Sequence, residues 1–257
     1  MSSARRHVMT ALTAALALAV TACGSSGDQQ PARTLTVSAA ASLTDVYNAL
    51  KPSFEQADPG TTVVFNFGGS DTLAQQVVQG APADVLATAS TRTMQTAQQA
   101  GRIAGEPVTY ASNRLQIAVQ PGNPEQVTGL ASLVGPQVTE SVCAPAVPCG
   151  AATEAAERAA NVMLDPVSEE QDVRSVLQRV QTRNVDAGLV YVTDVRSAGG
   201  QVQGVDFPQA SAQGAAQDYL IGAVAGRPDA DLADRWIQFV TGPQGDAALQ
   251  RAGFTLR

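Results

Sequence analysis

Two serines stand where the chain is expected to pass from a strand into a helix. Ser42 lies in Ala-Ala-Ala-Ser-Leu-Thr and Ser70 in Gly-Gly-Ser-Asp-Thr, so small residues precede both and would let a ligand approach the backbone. A helix start offers unpaired N–H groups and about half a positive charge, which can hold an anion without any cation. Serine is also a favoured ordinary N-cap. The two junctions therefore indicate either an anion site or two capped helices.

A serine nucleophile would need a general base, and the chain has a single histidine, His7. His7 lies in a segment with the pattern of an export signal, so the mature protein would lack it. Ser-His-Asp, Cys-His and histidine–zinc chemistry all need an imidazole. A hydrolase that uses Ser42 or Ser70 stays as a remote alternative. We expect no enzymatic activity, no cofactor and no metal bound directly by side chains.

The N-terminal segment predicts export and lipid anchoring. Arg5 and Arg6 precede an apolar run at 8–20, which is shorter than the about 20 residues that span a bilayer. Small residues before Cys23 resemble the bacterial lipobox, although an ordinary cleavage site near Cys23 is the alternative. We expect residues 1–22 to be removed, Cys23 to be lipidated on the outer face of the cytoplasmic membrane, and residues 23–33 to form a flexible tether.

Cys143 and Cys149 are six positions apart, and an exported protein can form disulfides. We expect them to pair. Two free thiols, or a metal or redox site, are the alternatives, and the second is disfavoured because no histidine accompanies the pair.

Charge excludes another class of function: 16 basic against 23 acidic residues give a net charge of −7, which provides no electrostatic footprint for nucleic acid.

The elements that must position these residues alternate between strand and helix from residue 34 onward. Repeated strand-then-helix order implies mostly parallel sheets with helices on both faces, and a ligand then binds at the carboxyl ends of the strands. Pro52 should kink or shorten the first helix. The strands are expected at 35–39, 63–67, 85–88, 115–119, 141–144, 187–192 and 219–225, and the helices at 43–54, from 71 to a stop at 80, and at 91–100, 151–163, 172–181 and 231–240.

Seven stretches, in order through the mature chain, together resemble the molybdate-binding receptors of ABC importers. None is decisive alone. They are Ala-Ala-Ala-Ser-Leu-Thr at 39–44, Gly-Gly-Ser-Asp-Thr-Leu-Ala at 68–74, Gly-Ala-Pro-Ala-Asp-Val at 80–85, Cys-Ala-Pro-Ala-Val-Pro-Cys-Gly at 143–150, Glu-Gln-Asp-Val-Arg at 170–174, Gly-Leu-Val-Tyr at 188–191, and Gly-Pro-Gln-Gly at 242–245 with Gly-Phe-Thr at 253–255.

This resemblance implies an α/β, two-lobed periplasmic-binding-protein fold (type II), with molybdate or tungstate held by hydrogen bonds in the cleft between the lobes. The lobes would be 34–112 with 210–257, and 113–209. Five ligand contacts follow from the resemblance. Ser42 and Ser70 would donate hydroxyl and backbone N–H groups, Cys149 and Val173 backbone N–H groups, and Tyr191 its phenolic O–H.

The resemblance also implies a monomeric receptor that delivers its oxyanion to the membrane subunits of an ABC permease. A receptor for sulfate, phosphate or a small organic anion is the alternative within the same transport class. Asp71, directly after Ser70, would repel a dianion if it pointed inward. We expect Asp71 to face solvent, because a carboxylate in the first turn of a helix is favoured by the helix dipole.

Overall fold

The computed structural model describes residues 32–207 and 216–257. The predicted signal peptide at 1–22, the lipidation site Cys23, most of the tether and the predicted lobe boundary at 209–210 lie outside this range.

The described residues contain ten strands and eight α-helices, and most of the predicted elements are confirmed. The strands are β1 (Arg33–Ala40), β2 (Thr61–Gly68), β3 (Val85–Thr88), β4 (Ile103–Val119), β5 (Glu140–Cys143), β6 (Ser168–Glu170), β7 (Ala187–Tyr191), β8 (Gln203–Val205), β9 (Ala216–Val224) and β10 (Thr255–Leu256). The helices are α1 (Thr44–Ala57), α2 (Ser70–Val78), α3 (Thr91–Gln99), α4 (Pro148–Ala160), α5 (Val173–Gln181), α6 (Val192–Ser197), α7 (Ala230–Val240) and α8 (Pro243–Ala252).

The strands form a mixed sheet in the order β2-β1-β3-β9-β4-β7-β5-β6, and β8 and β10 also pair with β4. The expected parallel pairing holds for β1 with β2 and β3, and for β5 with β6 and β7. Strands β4 and β9 differ from the expectation, because all of their pairs are antiparallel. The described sheet is therefore less parallel than predicted, and its parallel parts are the ones whose ends carry the candidate residues.

Proline 52 does not shorten α1, which continues to Ala57. Of the two expected effects of Pro52, a kink or a shorter helix, the second is therefore wrong. Pro52 and Asn48, the residue whose carbonyl loses its helical donor, are both exposed, so water can bond that carbonyl. Buried Leu50 and Phe54 hold the helix against the core on either side of the proline.

Apolar side chains pack in clusters that divide the sheet near the middle of β4. One cluster draws on residues between Leu115 and Phe207, which we call the second half. Two other clusters are formed by residues from 35–111 and 219–254, and we call this part of the protein the first half. Strand β4 pairs with β9 in the first half and with β7 in the second, so it belongs to both.

Trp236 lies at the centre of an aromatic group in the first half. Its indole contacts Tyr47 and Phe54 edge-on, at ring-centroid distances of 5.4 and 5.0 Å. Edge-to-face pairs of this kind stabilise a core by about 0.5–1.5 kcal/mol beyond the burial of their area. The aromatic group fixes α1 and α7 on the sheet.

In the described part of the chain, no helix has the length and apolar character needed to cross a membrane.

Candidate functional site

The five residues predicted to contact a ligand line one small cavity. Each is the last residue of a strand or lies in the segment that follows one. This agrees with the expectation that a ligand binds at the carboxyl ends of the strands. Register explains how the first two meet. Parallel pairing sets Ala40 of β1 beside Gly68 of β2, and Ser42 and Ser70 each follow two residues later. The structure therefore brings together Ser42, Ser70, Cys149, Val173 and Tyr191.

Neither serine caps a helix with its side chain, so the capping alternative is not what the structure shows. The Ser42 hydroxyl is instead hydrogen-bonded to the phenolic oxygen of Tyr219 at 2.7 Å. The Ser70 Oγ accepts the backbone N–H of Ala89 at 3.0 Å. Because Ser70 Oγ acts as the acceptor there, its own proton is available to a group in the cavity.

Cys149 reaches the cavity because α4 begins at Pro148, three residues before the predicted start at Ala151. Proline suits the first helical position, since it has no N–H to leave unpaired. The disulfide between Cys143 and Cys149 is present and joins the end of β5 to this helix start. Gly150 makes the tight approach possible, since a Cβ there would lie 1.9 Å from the Ala144 carbonyl oxygen.

Helix α5 begins at Val173, and Asp172 before it accepts some of the free N–H groups of the first turn. Asp172 Oδ1 accepts the backbone N–H groups of Arg174 and Ser175 at 2.8 and 3.0 Å. Its other carboxylate oxygen accepts the Ser175 hydroxyl at 3.0 Å. The N–H of Val173 is left over. The sequence placed Asp172 inside the helix and missed its role as the cap, although aspartate before an apolar helical period is a recognised start signal.

The backbone N–H groups of Ser42, Ser70, Cys149 and Val173 lie at the cavity in the first residues of their helices, where no carbonyl of the same helix can accept them. Outside regular helix and strand pairing, no acceptor for them is found within the described ranges. Unpaired donors at buried positions are costly unless a ligand or water takes them. None of the described cavity-lining residues is a lysine or arginine. The one charged residue among them is Asp172, whose two carboxylate oxygens are engaged by the N–H groups of Arg174 and Ser175 and by the Ser175 hydroxyl. The other polar groups that face the cavity are neutral, and most of them are donors.

Tyr191 supplies a hydroxyl to the same cavity. Its side chain is 1% exposed, and its phenolic oxygen has no hydrogen-bond partner among the described residues. Burial raises the pKa of Tyr191 well above its ordinary value of 10.0, and the neighbouring Tyr219 and Asp194 raise it further. The phenol therefore keeps its proton at neutral pH and can only serve an anion as a donor.

Asp194 supports Tyr191 from behind and was not identified from the sequence. Its Oδ2 accepts the Tyr191 backbone N–H at 2.9 Å, and its side chain is 1% exposed. Burial raises the pKa of Asp194 to about 6, against the opposing effect of Arg174, whose Nε lies 3.5 Å from Oδ1. Asp45 and Asp172 add smaller upward effects on this pKa.

Asp71 does not line the cavity, but the expectation that it faces solvent is wrong. The side chain is half-buried, and its Oδ1 is fully buried without a partner among the described residues. Gly69 is the cause, because a Cβ there would lie 2.9 Å from this oxygen and 2.4 Å from the Gln171 carbonyl oxygen. The absent side chain lets the carboxylate fold back over the start of α2.

Three comparisons with known proteins bear on this site. Residues 35–255 match the family model described as bacterial extracellular solute-binding protein. The molybdate-binding protein ModA of Mycobacterium tuberculosis is 40% identical over 250 residues, which cover 95% of this chain and 95% of that protein. The putative ABC transporter substrate-binding lipoprotein YvgL of Bacillus subtilis is 32% identical over 191 residues, covering 72% of this chain and 74% of that protein.

One solved structure gives a likeness in three dimensions. The periplasmic molybdate-binding protein of Azotobacter vinelandii matches 87% of this chain and 99% of its own, with a TM-score of 0.76 and 19% identity. At that identity the match shows a common fold.

Proposed function

Because the chain belongs to the family of bacterial extracellular solute-binding proteins and has the predicted periplasmic-binding fold, we propose that it captures molybdate, or tungstate, for an ABC importer. The observation that carries the proposal is the cavity that gathers helix-start N–H groups of Ser42, Ser70, Cys149 and Val173 with the Tyr191 hydroxyl, which has no partner among the described residues. The described lining has no cation, and its one carboxylate, Asp172, is engaged by the first turn of α5, so the groups left for a ligand are mainly donors. Such a set suits a fully deprotonated tetrahedral dianion. The 40% identity to a molybdate-binding protein supports the choice of anion.

The proposed contacts are those of the five residues at the cavity. Ser42 and Ser70 donate from the first half through their hydroxyl and backbone N–H groups. Cys149 and Val173 donate backbone N–H groups from the second half, and Tyr191 donates its phenol. Since these donors come from both halves of the sheet, the proposed mechanism is closure of two lobes, 34–112 with 210–257 and 113–209, on the ligand. A permease would then recognise the closed shape.

We propose no catalytic role for either serine. Ser70 Oγ is occupied by the Ala89 N–H, Ser42 Oγ by Tyr219, and the chain's one histidine precedes the predicted mature start. Export and lipid attachment at Cys23 belong to the same proposal, supported by the lipoprotein name of the Bacillus subtilis relative. Action as a monomer at the outer face of the cytoplasmic membrane completes it.

Isothermal titration of ligand-free protein at pH 7.5 tests the proposal. Molybdate and tungstate should bind at least tenfold more tightly than phosphate or sulfate. Phosphate retains a proton that needs an acceptor, and the one carboxylate in the described lining, Asp172, already accepts three hydrogen bonds from Arg174 and Ser175. The unsatisfied phosphate proton should cost about 1–3 kcal/mol. Sulfate is smaller than molybdate, so donors fixed on the two halves of the sheet cannot all reach its oxygens. Equal affinity for sulfate or phosphate would overturn the assignment of molybdate.

A further inference from the structure

The first half forms one wall of the cavity and the second half forms the other. An ion pair joins these two walls without lining the cavity. Arg174, directly after Val173 in α5, hydrogen-bonds through Nη2 to the Asp45 carboxylate in the first turn of α1. Helix α1 packs on the core of the first half, and α5 packs on the core of the second. Neither residue lines the ligand cavity, so the pair adds no donor to a bound anion.

Two further partners fix the Arg174 guanidinium from its own side. Its Nη1 donates to Ser197 Oγ at 2.8 Å, and its Nε lies 3.5 Å from Oδ1 of buried Asp194. Asp194 in turn accepts the Tyr191 backbone N–H. The arginine is therefore held in place by the second half. Among its contacts with described residues, the bond to Asp45 is the one that crosses to the first half and must break when the halves separate.

We propose, on the basis of the proposed function, that Asp45, Arg174 and Asp194 form a latch that sets the rate at which the bound oxyanion is released. The donors in the cavity decide which anion binds, and the latch decides how long the walls stay together around it. An exposed ion pair between two flexible side chains contributes little, because ordering them costs entropy. Here Arg174 is three-quarters buried and already ordered by Ser197 and Asp194, which makes its bond to Asp45 more effective.

The test is the release of radiolabelled molybdate from loaded protein, chased with unlabelled molybdate at pH 7.5. Asp194 is ionised there, since its pKa is about 6. Asp45→Asn should release ligand about 3- to 10-fold faster, while the association rate changes less than about twofold. Asp45 is 58% exposed, so the substitution leaves the core intact, and thermal unfolding checks this.

The matched control is Glu154→Gln, which removes an exposed ion pair between Glu154 and Arg158 within α4 alone. Its release rate should equal that of the wild-type protein. In an Arg174→Gln background, Asp45→Asn should add nothing, because its partner is already gone.

The outcomes separate the two proposals. If the wild-type protein binds neither molybdate nor tungstate, the proposed function is wrong, and so is the proposal of a latch that depends on it. If the wild-type protein binds molybdate and Asp45→Asn releases it at the wild-type rate, the latch alone is overturned. Equal acceleration by Glu154→Gln, or additive effects of Asp45→Asn and Arg174→Gln, would also overturn it.

Discussion

The Ser42 Oγ and the Tyr219 phenolic oxygen lie 2.7 Å apart, although 177 positions separate the two residues in the chain. Both side chains are buried, and burial raises the pKa of Tyr219 far above its ordinary value, so the phenol keeps its proton. When Tyr219 donates to Ser42, the serine proton is left to point at a ligand. Tyr219 is therefore a positioning residue for Ser42.

Replacing Tyr219 by phenylalanine should weaken molybdate binding about 3- to 10-fold, because one orienting hydrogen bond contributes about 0.5–1.5 kcal/mol. Titration calorimetry measures the change. Tyr110→Phe is the matched control, since it removes the buried 2.9 Å bond between the Tyr110 and Tyr47 hydroxyls, away from the cavity. Equal losses of affinity in both variants would contradict the role of Tyr219.

Ser42→Ala and Ser70→Ala should each lower molybdate affinity about 10- to 150-fold, the effect of losing a hydrogen bond to a charged group, about 1.5–3 kcal/mol. Ser70→Ala also leaves the buried Ala89 N–H unpaired, so it should lower the free energy of unfolding by about 1–3 kcal/mol. Exposed Ser53 on α1 is the control, and Ser53→Ala should change neither quantity. Unchanged affinity in both cavity variants would mean that the ligand binds elsewhere.

Replacing both cysteines of the Cys143–Cys149 disulfide by alanine should affect binding more than stability. The closed loop is short, so the bond contributes at most about 2–3 kcal/mol through the entropy of the unfolded chain. It also fixes the Cys149 N–H toward the cavity, and we expect affinity to fall about tenfold. Calorimetry and urea unfolding measure the two effects. Thiol titration of unreduced protein lacking residues 1–23 should find no free thiol, and two titratable thiols would refute the bond.

Phosphate should not displace molybdate at comparable concentration at pH 7.5, and Asp71→Asn should leave this selectivity unchanged. Asp71 lies outside the cavity, so its carboxylate cannot accept the phosphate proton. Competition calorimetry provides the measurement. If phosphate competes in the wild-type protein and no longer competes in Asp71→Asn, the site is a phosphate site.

Glu140 should make stability fall as pH rises. Glu140 is 2% exposed, and burial raises its pKa from 4.5 to about 7. A hydrogen bond with the Asp165 backbone opposes this rise, and the charge of the Asp165 carboxylate adds a smaller upward effect. The folded state therefore binds more protons than the unfolded state between these values, and this stabilisation is lost as pH rises through 7. Glu140→Gln should raise the free energy of unfolding by about 1–3 kcal/mol at pH 8 and have little effect at pH 5.

Urea unfolding at both pH values measures this difference. The control is Glu169→Gln on the neighbouring strand β6, where the side chain is exposed and no gain is expected. A gain of equal size at pH 5 and pH 8 would show that the Glu140 effect is not one of ionisation.

Local patterns predicted the strands whose ends form the cavity, except for β6, which precedes Val173 and was missed. Strand β3 was predicted at its observed bounds, 85–88. The N-terminal part of β4 was missed, because Gly105 and Pro107 break its pattern and its pairing with β9 shifts register on either side of Val108. Helix α8 was also missed, although Pro243 at its start is a typical signal.

Contacts between distant segments were beyond what spacing can predict. Tyr219 reaches Ser42 because β9 lies beside β3 in antiparallel pairing, a relation that no local period encodes. Asp194 is similar, since its burial depends on how α6 packs against β4 and β7. The resemblance to a family pointed to the cavity-lining residues, and only the fold identified those that hold them in place.

Trp236 is the only tryptophan of the chain, and its place in the aromatic group away from the cavity determines what its fluorescence can report. The indole contacts Tyr47 and Phe54 in the core, not the groups expected to meet the anion. Its emission should therefore follow unfolding and stay nearly constant when ligand is added. An optical assay of binding would need a reporter closer to the ligand. The absorbance of Tyr191, which lines the cavity, and of Tyr219, which contacts Ser42, is the natural intrinsic signal.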